Sequence, residues 1–169
     1  AMIRSAAQSQ PGPGATLAAA NVQITRDNHA MLFVSAFYAV LDATSGRLAF
    51  ANAGHNVPLI LRASGALEEV QSRGMVLGIM DDMAYDEDES VLAPGDMLIL
   101  YTDGITEAMD AASELFGKPR LKEAILAAST TAATARDVID AIIAAVKAYS
   151  GASPQMDDLT IVTVKRIRN

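Results

Sequence analysis

Cysteine is missing from the 169-residue chain, and histidine occurs only twice. Without thiols there is no disulfide framework, no thiolate metal site and no cysteine nucleophile. His29 and His55 are too few for an imidazole-based zinc site. Long apolar runs are also lacking: each is broken by Asp, Asn or Gly well short of the ~20 residues that cross a bilayer. The opening AMIRSAAQSQPGPG has no apolar central stretch of the kind a signal peptide carries. A cytoplasmic protein that does not engage a membrane is the expectation. Positive charge is in deficit, with a net charge of −7, which argues against a nucleic-acid footprint. No GxxxxGK[ST] phosphate loop and no GxSxG serine occurs, and the DxDG pattern fails because Tyr101 stands two residues before Asp103.

What is present is a globular balance of 51% hydrophobic and 20% charged residues, expected to form one domain over residues 1–169. Residues 1–29 read as a helical region. MIRSAAQSQ is the tail of one helix, PGPG breaks the chain, and ATLAAANVQITRDN sets Leu17, Asn21 and Ile24 at helical spacing. From residue 30 onward strands dominate. MLFVSAFYAVLD (31–42) has the aromatic and branched content of a long buried strand. RLAFANAG and VPLILRA follow as strands and SGALEEV as a hairpin continuation, a spacing that predicts an antiparallel meander. DDMAYDEDES (81–90) carries six carboxylates and reads as a solvated loop or edge strand, with a strand around YDEDESVL. APGD (93–96) is a turn with a mechanism, in which Pro fixes φ, Gly takes φ > 0 and Asp caps. KPRLKEAILAAS and TARDVIDAIIAAVKAYSG are amphipathic helices, the second with Thr134 as N-cap and Gly151 as its stop. MDDLTIVTVKRI closes the chain as a strand, with Lys165, Arg166 and Arg168 at its solvated end.

Two strands carry acids at their ends. Asp103 follows LILYT, and Asp157 with Asp158 precedes LTIVTVKRI. If these strands pair antiparallel, the three carboxylates meet on one rim, where they repel unless a hard divalent cation neutralises them. Asp-Gly and Asp-Asp are also common in turns, so spacing leaves a turn and a metal site both open. His29 falls in a helix-to-strand connection and is expected to be solvated. His55 falls in a tight turn, where a hydrogen bond to backbone is expected.

The ordered set MLFVSAFYAVLD, RLAFANAGHNVPLIL, GMVLGI, LAPGDMLILYTDGITEAMD, ELFGKPRL and MDDLTIVTVKR resembles the SpoIIE-type branch of the metal-dependent, 2C-like serine/threonine protein phosphatases. The resemblance implies an α+β fold, an antiparallel β-sandwich flanked by helices. It implies Mn²⁺ or Mg²⁺ as cofactor and metal-activated water attacking a phosphoserine or phosphothreonine. Asp103 and Asp157 fall on metal-ligand positions and Asp158 beside them, capping or orienting from outside the ligand set. Gly104 would let backbone approach the site, while Asn52, Gly54 and His55 would hold the meander turn. The implied substrate is a phosphorylated anti-sigma-factor antagonist of the STAS type, with a sensor or receiver domain upstream.

The same resemblance implies two further Asp-bearing strands ahead of the matched region, one Gly-Asp-aromatic-aromatic-Asp and one GDVSGKG-like. The chain has neither, and Asp27 is the only acid before Asp42. The expectation is therefore a sandwich missing its N-terminal strands, with weak metal affinity, little or no turnover, and apolar edges that favour a homodimer. The alternative function is a non-catalytic module that docks a partner in sigma-factor regulation.

Overall fold

The computed structural model describes residues 2–30, 32–129 and 134–167. In chain order the elements begin with α1 (Met2–Ala7), α2 (Pro13–Asp27), β1 (Ala36–Leu41), β2 (Arg47–Ala53), β3 (Leu59–Leu61) and β4 (Leu67–Glu69). They continue with β5 (Asp88–Val91), β6 (Met97–Tyr101), α3 (Asp103–Thr106), α4 (Gly117–Ala128), α5 (Ala135–Ser150) and β7 (Ile161–Lys165). The contacts divide these elements between two units, Ala1–Val57 with Gln71–Val91 and Pro58–Val70 with Leu92–Asn169. Each unit holds one antiparallel sheet and two or more helices, the mixed helix-and-sheet class expected from the sequence.

In the first unit the sheet order is β1-β2-β5. Helix α2 starts on Pro13, whose missing N–H costs nothing at a first turn. The small residue Gly14 is required there because a Cβ would lie 2.4 Å from the Tyr85 carbonyl oxygen. One face of α2 is buried, with Leu17 packed in a cluster with Ala51, Ala53, Leu77 and Tyr85. Asn21, on that same face and fully buried, uses its side chain as a strut. Its Nδ2 donates to the carbonyls of Met80 (2.6 Å) and Asp81 (3.2 Å), and its Oδ1 accepts from the Gly78 N–H at 2.8 Å. A buried amide whose donor and acceptor are both used stabilises the loop it binds; an unpaired one would cost 1–3 kcal/mol, roughly.

One expectation fails here. The stretch 31–42 is not a long buried strand: β1 begins only at Ala36, and Leu32 and Phe33 are 68% and 64% exposed. The cause is position. β1 pairs with β2 and with no other strand of its sheet, and ahead of it the chain is held by single links: the Val34–Leu77 bridge, the Asn28 side chain on Leu32, and Ser35 Oγ beside His55. The acidic run does form an edge strand, β5, antiparallel to β2, with Glu89 paired to Arg47.

The second unit carries the sheet β4-β3-β6-β7. Alternate residues Leu59, Leu61, Met97, Ile99 and Tyr101 supply one apolar face, covered by Leu121 and Ile125 of α4 and by Val138, Ile142 and Val146 of α5. The period of two in the strands and the spacing of four in the helices are what let these layers meet. Strands β2 and β3 lie in different sheets, so the predicted continuous meander is two hairpins, β1–β2 and β3–β4, with a change of sheet between them. A longer-range lock fixes the entrance to β6. The Asp96 carboxylate, 2% exposed, accepts the Ala93 and Ala63 N–H groups and the Arg62 guanidinium. The cap predicted from APGD is thus a four-way junction.

Candidate metal centre at the β6–β7 rim

Strands β6 and β7 pair antiparallel, with Tyr101 opposite Ile161. The end of one therefore lies beside the start of the other. Pairing extends past the strands through Thr102. Its N–H donates to the Thr160 carbonyl (3.1 Å), its hydroxyl donates to the Asp158 carbonyl (2.9 Å), and the Thr160 N–H donates back to that hydroxyl (3.0 Å). Immediately after it the chain turns into the single helical turn α3. Asp103 is the first residue of that turn and is exposed, with one carboxylate oxygen accepting the Gly104 N–H at 3.0 Å.

Gly104 is buried against the other strand's approach. A Cβ there would stand 2.5 Å from the Asp158 carbonyl oxygen and 3.4 Å from the Asp157 carbonyl carbon. The segments bearing Asp103 and Asp157 thus touch main chain to main chain. Asp157 is exposed, with one carboxylate oxygen on the Asp158 N–H (2.7 Å) and its carbonyl held by the Gln155 side-chain amide. Asp158, also exposed, contributes its carbonyl to Thr102. Asn52, Gly54 and His55 belong to the first unit. There Asn52 Oδ1 accepts the His55 N–H (2.7 Å), its amide donates to the His55 carbonyl (3.0 Å), and Gly54 has φ +70° with Val76 where a Cβ would go. Ser35 Oγ lies 3.2 Å from His55 Nδ1.

The donor chemistry suits a hard cation: Asp103 and Asp157 offer carboxylate oxygens on backbone fixed by main-chain contacts. The donor count is low. Among the described residues, no three His, Cys, Asp or Glu side chains gather as a metal cluster. Two carboxylates fit a cation that keeps several waters, as Mg²⁺ does.

Sequence reasoning missed Thr102, which stitches the rim together. Its signal is a hydroxyl at the last paired position before Asp-Gly, where a side chain can stand in for a strand's hydrogen bond. It also missed the clamp on the loop after α3. Tyr149 of α5 donates its hydroxyl to the carbonyls of Glu114 and Leu115, while the Arg120 guanidinium lies 4.5 Å from the Tyr149 ring centre.

A chain with two antiparallel sheets, each packed by helices, has the fold of a 2C-type phosphatase domain. The SiaA-PP2C domain of Pseudomonas aeruginosa superposes with a TM-score of 0.81 at 24% identity, over 97% of this chain and 65% of that one. The chain belongs to the SpoIIE family, whose model, described as stage II sporulation protein E, matches residues 1–167. Among curated relatives it is 36% identical to protein IcfG of Synechocystis over 135 residues, 80% of this chain and 21% of that protein. It is 30% identical to the phosphoserine phosphatase RsbU of Bacillus subtilis over 111 residues, 63% of this chain and 33% of that one. The chain thus spans a third or less of the curated relatives it matches.

Proposed function

We propose that this chain is the phosphatase module of a regulatory serine/threonine phosphatase, acting on a phosphorylated anti-sigma-factor antagonist of the STAS type. The observation that carries this reading is the main-chain contact of Gly104 with Asp158, which sets Asp103 and Asp157 on one rim in a SpoIIE-family chain. The phosphoserine specificity named for RsbU supports the substrate class.

In this reading Asp103 and Asp157 hold Mn²⁺ or Mg²⁺, which when bound lowers the pKa of a water and neutralises phosphoryl oxygens. Gly104 and Thr102 keep the two acidic segments in contact, and Asp158 helps by its carbonyl. Because two carboxylates make a weak site, the chain alone is expected to turn over little substrate. Phosphate release from a phosphoserine STAS-type protein with Mn²⁺ tests the reading; a slow rate that Asp103→Asn abolishes supports it. A rate unaffected by that substitution rules it out.

The second reading, a docking module without catalysis, draws support from the absence of a three-residue metal cluster among the described residues. It predicts binding of the same partner that neither Mn²⁺ nor the phosphate changes. Pairing with a second copy is part of the proposal as well, since β1 carries no charged residue to guard its open edge; light scattering reads it directly.

A further inference from the structure

Between Leu32 and Asp42 the main chain is bonded along one edge only. Asp42 donates its N–H to the Arg47 carbonyl at 2.9 Å, closing the β1–β2 hairpin. Bonded positions alternate along an antiparallel pair, so Ala36, Tyr38 and Val40 turn their N–H and C=O groups to β2, where they stand opposite Ala53, Ala51 and Ala49. Ahead of β1 the same parity holds. Val34 exchanges two bonds with Leu77 (3.0 and 2.8 Å), and the Asn28 side chain holds both main-chain groups of Leu32. Phe33, Ser35, Phe37, Ala39 and Leu41 therefore direct their main-chain groups to the opposite edge, where no described strand pairs. That edge has a symmetry of its own. No charged residue occurs from 32 to 41, so nothing guards it. Phe33 and Val34 are 64% and 44% exposed on one side of Phe37, with Leu32 beyond them; Val40 and Leu41 are 49% and 37% exposed on the other.

We propose that a second copy of this chain adds to this edge by two-fold antiparallel pairing centred on Phe37, joining two three-stranded sheets into one. The proposal rests on the pairing with a second copy put forward above, to which it gives a place and a register; it is independent of the phosphatase chemistry. In this register Phe37 faces Phe37 of the second copy, Phe33 faces its Leu41, and Val34 faces its Val40. Each of these exposed apolar side chains thus meets another, the pairing that stabilises sheets. The outward N–H and C=O groups are satisfied along the whole edge, two bonds to each alternate pair. Moving the centre to Tyr38 would set Val34 against Asp42 and Leu41 against Ser35, which discards the match. Asp42, opposite Leu32 of the second copy, turns its carboxylate back on the Thr44 and Ser45 N–H groups and the Ser45 hydroxyl. Its charge is thereby held on its own hairpin.

Because the chain has no cysteine, introduced thiols read the register directly. Val34→Cys and Val40→Cys chains, mixed and oxidised with copper phenanthroline, should form a disulfide-linked dimer, since directly opposed residues of paired strands lie within bridging distance. Each variant alone should cross-link far less, because its thiol then faces a valine. Amide hydrogen exchange on the unsubstituted 169-residue chain needs no variant. The N–H groups of Phe33, Ser35, Phe37, Ala39 and Leu41 should slow as protein concentration rises, while those of Val34, Ala36, Tyr38 and Val40 stay slow throughout. Val40→Lys, at an exposed position, should weaken self-association roughly tenfold, as the lost burial of one such side chain and a guarded edge imply; light scattering reads it. Suppose light scattering shows a dimer, but the mixture cross-links no better than either variant alone, or the alternate amides exchange at unchanged rates. The edge pairing then falls, and pairing with a second copy stands elsewhere on the chain. A monomer at every concentration, with exchange unchanged, overturns both. Neither result alters the phosphate-release test, so the phosphatase reading stands or falls separately.

Discussion

Gly104 and Asp158 touch so closely that a Cβ on the first would lie 2.5 Å from the carbonyl oxygen of the second. That contact fixes where two acidic segments meet, and its neighbour atom is backbone, which cannot swing away. Gly104→Ala should destabilise the fold by about 1–3 kcal/mol, read as a lower midpoint in urea. It should also weaken Mn²⁺ binding by parting the two segments, which titration calorimetry on the folded variant would show.

Asp103→Asn and Asp157→Asn make a different prediction. Each side chain is exposed and bonds only to the N–H of the residue after it, so the amide should leave stability within about 0.5 kcal/mol. Mn²⁺ affinity should fall roughly tenfold or more in either variant, since ligand charge sets the affinity of such sites. In the double variant the loss should be little larger than in either single one. Calorimetric titration of all three variants, beside their thermal midpoints, separates binding from folding.

The buried carboxylate at the entrance to β6 predicts an acid-sensitive fold. Burial disfavours the charged form of Asp96, but the bonds from Arg62 and from the Ala63 and Ala93 N–H groups outweigh it and hold its pKa below the ordinary value. A depressed folded pKa gives stability that is fully present above the unfolded value of about 3.9 and is lost as pH falls through the folded value. Urea unfolding between neutral pH and pH ~3 should show that decline. Asp96→Asn should flatten it, and Asp96→Ala should cost about 1–3 kcal/mol at neutral pH by removing the acceptor of the Ala63 and Ala93 N–H groups, while Arg62 keeps Glu68.

Helix α5 should be weakened by loss of its cap. Thr134 accepts the Asp137 N–H, and the Asp137 carboxylate accepts the Thr134 N–H in return, a capping box. Thr134→Ala should cost about 1 kcal/mol, seen as a lower thermal midpoint, with no change in Mn²⁺ affinity.

Much of this architecture was legible in the residues. The helices were read from spacing and caps, and Thr134 and Gly151 do bracket α5. The pairing that makes the rim was legible too, because antiparallel strands with acids at opposite ends bring those ends together. The three carboxylates expected to meet there, however, do not gather as a cluster among the described residues. Burial along 31–42 was not legible, since composition reports what a strand would bury and not whether a neighbour stands beside it. Nor was the separation of β2 from β3 into two sheets, because the turn at Gly54 and His55 looks the same from sequence whether the chain folds back or departs. Thr102 escaped for a similar reason: its three bonds depend on register between residues 102, 158 and 160, which no local pattern encodes.

The wiring of the rim has an evolutionary consequence. Thr102, Gly104, Asp158 and Thr160 join the two strands through carbonyls, N–H groups and one hydroxyl, while the carboxylates of Asp103 and Asp157 support nothing beyond their own next residue. Selection for folding acts on the first group and leaves the second to drift. A descendant that exchanged both acids would keep its sheets and the wiring of its rim. On the proposed reading, one or two substitutions would separate a hydrolysing chain from one that only binds, with no refolding between them.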